Sequence, residues 1–224
     1  MKTKTRSVEQ IIEEQVRRWQ IMRSEKEKEE ERISVVTLSR EHGSEGDIFA
    51  ERIAEKLGYD LFHQEVIHNM AESAGTSVRL LETLDEKGIS VLEDWISSLV
   101  DRRHLWPDQY LQHLMKIIGT IGRHGRVVII GRGANFVLPV DKRLSIRVIA
   151  PLEERIRNVS KELGITVEEA RLRVIKIESE RRAFIRKYFN ADIRDPLNYD
   201  LVINTGNLSL DDAMNTINGV LTGD

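Results

Sequence analysis

The sequence contains no cysteine, which excludes disulfides, thiolate zinc sites and cysteine nucleophiles. It contains no apolar run approaching the roughly 20 residues that a membrane span needs. Its start, MKTKTRSVEQ, lacks the apolar core of a signal peptide. From these absences the cytoplasm is the expected compartment, and a membrane is not an expected partner. Charge of one sign is also missing. Lys+Arg 34 against Asp+Glu 37 gives a formal net charge of -3, so no global field draws the chain to nucleic acid. Any phosphate site must come from local basic residues. The pattern GxxxxGK[ST], whose lysine reaches the phosphates of a bound nucleotide, does not occur. No Ser-His-Asp constellation stands in a loop context, and His63 and His68 are off the i, i+4 spacing of a helical metal pair, so hydrolase and zinc readings rank low.

What is there suits one substantial α/β domain. The chain has 224 residues, 40% hydrophobic and 32% charged, enough to bury a sizeable core. Residues 1–32 form a separate block in which Val8, Ile11, Ile12, Val16 and Trp19 fall near helical spacing. They predict an amphipathic helix from about Ser7 to Arg23, followed by the solvated stretch SEKEKEEER. This helix is expected to pack on its own domain, on a second copy in a homo-oligomer, or on a protein partner.

The organising stretch is Ile33 to Gly58, ISVVTLSREHGSEGDIFAERIAEKLG. A β-branched run breaks into a polar, Gly-bearing turn, and a helix follows. Asp47 is its expected N-cap, Ile48, Ala50, Ile53, Ala54 and Leu57 its sheet-facing positions, and Gly58 its stop. Strand, glycine loop and helix in this order aim backbone N–H groups and a helix N-terminus at one spot, a geometry that binds phosphate.

Downstream, Tyr59 to His63 reads as a short strand, Gln64 to Ala74 as a helix, and Ser77 to Arg123 as further helices broken at Gly88 and Pro107. Trp95, Trp106 and Tyr110 are expected in the core. Arg126 to Gly131 reads as a buried parallel strand that puts Arg132 at its carboxyl end, where ligands gather in such sheets. Leu144 to Ile149 is a further strand. Pro151 is the expected first residue of the next helix, and Thr166-x-x-Glu169 is a capping box for a long helix to about Phe189. Asp200 to Asn204 is the last strand, and Ser209-x-x-Asp212 caps the closing helix. The alternation predicts three layers, a parallel sheet flanked by helices with right-handed crossovers.

Within the long helix and its exit, ESERRAFIRKYFNADIRD places Arg181, Arg182, Arg186, Lys187 and Arg194 close together. Guanidinium forks bind phosphoryl oxygens bidentately and offset their charge. A solvated basic face paired with Glu178 and Glu180 is the plainer account of the same residues. The glycine loop, the strand end GRG and this helix in one α/β chain favour phosphate transfer.

Five motifs in order, SREHGSEGD, KLGYDLFHQEVI, VVIIGRGANFVL, IAPLEERIRN and RRAFIRKYFNADIRDPLNYDLVINT, resemble the cytidylate kinase-like family, a branch of the P-loop nucleoside monophosphate kinases. The resemblance covers about residues 33–220 and leaves the N-terminal helix outside. It implies a three-layer P-loop kinase fold with a parallel five-stranded sheet, a helical acceptor-binding region at about 60–125 and a lid at about 176–195. It implies a nucleotide partner with ATP and Mg²⁺, and a small phosphate-accepting substrate, for which a nucleoside monophosphate is the model. By the same resemblance Ser39, Arg40, Gly43, Ser44 and Gly46 meet the donor phosphates, and Asn204 and Thr205 lie near the donor's base. Arg132 meets the acceptor's phosphate. Arg181, Arg182 and Arg186 act from the lid, with Lys187, Arg194 and Asp195 where it rejoins the core. Glu41 or Asp195 would serve Mg²⁺ through water. The chain departs from the pattern at three places. Glu45 stands where the branch has glycine, Asp47 stands where it has a basic residue, and Gly133 replaces the aspartate of the GRD of true cytidylate kinases; Gly46 holds the position of the lysine of true cytidylate kinases, which this branch generally lacks as well. The alternative expectation is therefore a non-catalytic nucleotide-sensing or interaction module on the same fold.

Overall fold

A computed structural model describes residues 8–23 and 34–222. The charged stretch SEKEKEEER lies outside the described residues. The first helix, α1 (Val8–Arg23), lays Ile12, Val16 and Trp19 into the same apolar cluster as Phe62 and Ile118. Trp19 is buried and its ring stacks on His124 with centroids 4.1 Å apart. Gln15 donates to Asp60, which Arg18 also engages.

The domain begins with β1 (Val35–Arg40), a loop, and α2 (Gly46–Leu57). Next come β2 (Asp60–Phe62), α3 (Gln64–Glu72) and α4 (Ala74–Leu81). The long helices α5 (Glu86–Arg103) and α6 (Gln109–His124) complete this helical layer. After β3 (Val127–Ile130), the one-turn α7 (Ala134–Val137) and β4 (Arg143–Ile149), α8 (Leu152–Leu163) and α9 (Val167–Phe189) form an antiparallel pair. A 3₁₀ turn at Pro196–Asn198 leads into β5 (Leu201–Asn204) and α10 (Leu210–Thr222).

The five strands are all parallel in the order β2-β3-β1-β4-β5, so β1 lies at the centre. Side chains alternate across the sheet. Val36, Leu38, Val128, Ile130 and Ile146 pack on α2 and α10, while Val35, Val127 and Ile129 pack on α1, α3 and α6. Each large side chain buried this way contributes roughly 1.5–3 kcal/mol. This is the three-layer arrangement that the sequence predicts. Among the described residues no helix is long and apolar enough to cross a membrane.

Several local expectations are corrected. Asp47 does not cap α2. The helix starts two residues earlier, at Gly46, after Glu45 in the left-handed conformation at φ 59. Ile48 is exposed and Phe49 takes its place against the sheet. Gly88 lies inside α5, because the Asp85 side chain accepts its N–H at 2.7 Å and starts the helix there. Pro151 is the N-cap of α8 rather than its first residue. Trp106 is 96% exposed, not core, whereas Trp95 donates its ring N–H to the Val137 carbonyl at 2.6 Å.

Candidate functional site

At the carboxyl ends of β1 and β3 the sheet face turned toward α6 and α9 changes from apolar to polar. Thr37 and Ser39 of β1 stand in register with Ser145 and Arg147 of β4. Arg147 is 2% exposed. It donates to Ser39 Oγ at 2.8 Å and lies 5.6 Å from the Tyr199 ring. Glu41 faces two buried cations, Arg155 Nε at 3.2 Å and Arg147 Nη2 at 3.9 Å, and accepts the Ala150 N–H at 3.2 Å. Its carboxylate thereby ties the loop to β4 and α8. Asp195 Oδ1 accepts the Leu197 N–H that opens the 3₁₀ turn.

The loop between β1 and α2 is held from three sides. Ser44 is fully buried and its hydroxyl donates to the Glu41 carbonyl at 2.8 Å. Thr205 Oγ1 donates to the Ser44 carbonyl at 3.0 Å and Asn158 to the Gly43 carbonyl at 2.9 Å. Gly43 has φ +83, and a Cβ there would stand 2.4 Å from the Arg155 carbonyl oxygen, so only glycine fits. The first-turn amides of α2, which a helix leaves without intrahelical acceptors, open at the end of this loop.

Beside the loop is a cleft of about 650 Å³, a volume in the range of small-molecule sites. Arg40, Arg132, Arg173 and Arg181 line it, together with Ser39, Gln64 and Asn135. Arg40 is buried, with Nε 3.1 and 3.3 Å from the two Asp47 carboxylate oxygens and Nη1 2.9 Å from Gln64 Oε1. Arg132 sits over the Phe184 ring at 5.1 Å and has φ 49. Left-handed backbone at Arg132 and at Glu45, neither a glycine, places strain at both loops that border the cleft. Arg181 donates to the Arg40 carbonyl at 2.9 Å. Burial, and next the Arg40 guanidinium, pull its pKa down to about 10.

One loop amide is already taken by a carboxylate. Glu178 Oε1 accepts the His42 N–H at 2.7 Å and lies 3.7 Å from Arg181. The His42 ring is pressed between these groups. Burial first, and then Arg181, push its pKa from 6.5 down to about 4, so it is neutral at pH 7.

The residues anticipated from sequence thus divide. Ser39, Arg40, Arg132 and Arg181 line one cleft, and Gly43, Ser44 and Gly46 form the adjoining loop with Thr205 bonded to it. Arg182 instead turns its Nε to the Glu178 carbonyl, Arg186 is exposed, and Lys187 pairs with Asp108. Arg194 bonds Asp192, which it holds down at a pKa of about 2. Asn204 accepts the Gly206 N–H. Sequence reasoning missed Gln64, Glu178 and Arg147. Arg147 carried a signal, a charge at an inward position between Ile146 and Val148 of a buried strand; Glu178 was read only as a partner of the arginines, which its 3.7 Å approach to Arg181 bears out, and its bond to the loop carried no signal, nor did Gln64.

Comparison with known proteins agrees with this arrangement. The pattern of the cytidylate kinase-like family matches residues 35–207. A cytidylate kinase of Pyrococcus horikoshii is 30% identical over 78% of this chain and 81% of its own length. One from Ignicoccus hospitalis is 28% identical over 84% and 99%. The crystal structure of an uncharacterized protein from Eubacterium ventriosum shares the fold at a TM-score of 0.64, with 18% identity over 85% of this chain and 99% of that one. A parallel sheet with a glycine loop after its central strand, matched by the family pattern over most of its length, is a P-loop kinase fold, and the chain belongs to the cytidylate kinase-like family.

Proposed function

We propose that this protein is an ATP-dependent phosphotransferase whose acceptor is the phosphate of a nucleoside monophosphate or a similar small molecule. The observation that carries the reading is the cleft at the carboxyl ends of β1 and β3, where three buried or half-buried arginines face the end of a glycine loop and the start of α2. Cytidylate kinase is the name of the relatives described above.

The loop residues fit a polyphosphate. The cradle at Gly43 is too tight for a side chain, and the α2 amides and Arg40 supply donors, with Asp47 as the carboxylate on Arg40. Mg²⁺ in such sites is held by phosphate oxygens, water and one or two carboxylates. Among the described residues no group of three acidic or imidazole side chains could hold a metal alone, and Asp47 is the half-exposed carboxylate at the loop. When bound, Mg²⁺ supplies charge neutralisation on the donor phosphates.

In the proposed reaction an oxygen of the acceptor's phosphate forms a bond to the γ-phosphorus as the bond to the β-γ bridging oxygen breaks, leaving ADP and a diphosphate. The chain's contribution is positioning and charge. Gly43, Ser44 and Gly46 present the loop to the donor, Arg132 orients the acceptor's phosphate, and Arg181 joins loop to lid. Arg182, Arg186, Lys187 and Arg194 reach the site only if the lid, about 176–195, closes further. Asn204 and Thr205 stand toward the donor's base, and the helical region at about 60–125 receives the acceptor. Gly133 leaves no carboxylate for a cytosine, so the base need not be cytosine.

The test is ³¹P NMR of the purified chain with ATP·Mg²⁺ and CMP, dCMP, UMP, AMP and GMP. Acceptor-dependent loss of the γ-phosphate signal with a new diphosphate is the expected result. Unchanged spectra beside an active control would remove the kinase reading. One observation favours a second reading, a nucleotide-sensing module without turnover: Glu178 occupies a loop amide that a phosphate would use. That reading expects nucleotide affinity without new phosphorus signals, and loss of a protein partner on removal of residues 1–30.

A further inference from the structure

We infer that Arg40 supplies the phosphate-binding cation that the loop lacks at Gly46, and that Asp47 and Gln64 hold it in place. The inference rests on the kinase reading and names the group that meets the donor phosphate.

The motif that this loop lacks uses a lysine to reach the β- and γ-phosphates. Here the position holds glycine, yet the space is not empty. A Cβ built on Gly46 would stand 2.5 Å from Arg40 Cβ and 3.0 Å from Arg40 Cγ, with Val148 Cβ at 3.3 Å. No side chain can occupy residue 46 while residue 40 carries one in this direction. The Arg40 stem runs through the volume that a lysine stem would need.

Its guanidinium ends at the junction of three segments. Nε is bonded to Asp47 on the first turn of α2 and Nη1 to Gln64 at the start of α3. A Cβ at Gly131, just after β3, would come within 3.1 Å of Nη1. All three segments border the cleft. Arg40 itself lines the cleft, so its guanidinium is reachable from it. Two of the donor directions are spent on fixing the group, and the remainder suit two phosphoryl oxygens. A guanidinium that is 6% exposed keeps this charge without depending on a flexible surface side chain. Asp47 and Gln64 are positioning residues. They touch Arg40, and through it set where the charge lies.

The test uses the full chain and two probes, ATP·Mg²⁺ and inorganic pyrophosphate, with affinity read by calorimetry and folding by thermal melting. Arg40→Ala is expected to lose about 10- to 100-fold in affinity for both probes, as expected when a charged donor is removed, while Arg40→Lys recovers most of it. Asp47→Asn keeps an oxygen toward Nε and binds within a few-fold of wild type, whereas Asp47→Ala weakens binding without a matching loss of melting temperature. The decisive variant is the exchange Arg40→Gly/Gly46→Lys. It is expected to fold and to bind at least ten-fold tighter than Arg40→Gly alone, while Gly46→Lys with Arg40 intact is destabilised or unfolded. Wild-type affinity in Arg40→Ala overturns the inference alone, and so does a Gly46→Lys chain that folds and binds more tightly with Arg40 in place. A wild-type chain that binds neither probe removes the kinase reading and the inference with it.

Discussion

Glu178→Gln is expected to make the protein bind a polyphosphate more tightly while making the empty protein less stable. In the structure the carboxylate accepts the His42 N–H at 2.7 Å and lies 3.7 Å from Arg181, so a phosphoryl group entering the loop must displace it. A hydrogen bond to a charged group contributes about 1.5–3 kcal/mol and a neutral one about 0.5–1.5 kcal/mol. The glutamine still accepts the N–H, so the obstacle falls by about 1–1.5 kcal/mol, roughly ten-fold in affinity. A carboxylate remaining within ~5 Å of the phosphate adds a repulsion of up to about 3 kcal/mol at an effective dielectric near 20, which raises the upper bound of the gain to roughly 1,000-fold. The same substitution loosens the link between α9 and the loop, and about 1 kcal/mol lowers the melting temperature by roughly 2–4 °C in a chain of this size. Calorimetry with ADP·Mg²⁺ and with pyrophosphate at fixed ionic strength, beside a melting curve without ligand, measures both. The opposite signs are the point. If Glu178 is only a structural bond, stability and affinity fall together, and equal or weaker binding by a folded Glu178→Gln protein refutes the reasoning.

The remaining predictions concern the strand end at Gly133 and the loop histidine. Gly133 has φ +70, and a Cβ there would meet the Phe189 ring at 2.2 to 2.8 Å, so Gly133→Ala should cost more than about 2 kcal/mol from strain and overpacking. Urea unfolding reads this, and Phe189→Leu in the same chain should recover part of it. A cost within error of zero would show that the ring moves freely. His42 titrates near 6.5 unfolded and at about 4 folded, so between those values the unfolded chain binds the proton first. Its contribution to stability is whole above pH 6.5 and is lost as pH falls toward 4. Discounted for partial exposure this is on the order of 1 kcal/mol. The urea midpoint of His42→Gln should therefore fall less between pH 7.5 and 5 than that of wild type, and parallel pH profiles would contradict the assignment.

The order of strands and helices was legible because β-branched runs, capping residues and glycine stops are local signals. Thr166 and Glu169 do form both halves of their capping box. The misplaced boundaries are those set by distant groups. Glu45 takes left-handed backbone inside a loop pinned by Asn158 and Thr205, and nothing at positions 44–47 announces that. In the site, composition pointed to an arginine-rich helix but not to which arginines face inward. Arg173, Ile177, Glu180, Arg181 and Phe184 line the cleft, a set spaced three, four or one residues apart along one face of α9. Arg182 lies about 100° further round and misses it. Gln64 and Glu178 could not be found locally, since Glu178 meets its partner across 136 positions of chain.

The two glycines that stand where true cytidylate kinases carry a charged side chain share a physical feature that bears on the proposed site. Where Gly46 replaces a lysine, Arg40 fills the space, and where Gly133 replaces an aspartate, the Phe189 ring does, stacked on Phe136 with centroids 5.3 Å apart. A site losing its chemistry by drift loses side chains one at a time and leaves cavities, each costing stability in proportion to its volume. Here the space at each glycine is filled: a residue from another element packs against it more closely than a Cβ would allow. At Gly46 the replacement is again a cation, and at Gly133 it is an apolar ring at the end of α9. If the cleft takes phosphate as proposed, the first keeps a positive charge beside the loop; the second leaves no carboxylate at residue 133 and ties that strand end to the helix carrying Arg181. On the kinase reading proposed above, such packing keeps a cation beside the loop and fills the other position with an apolar ring.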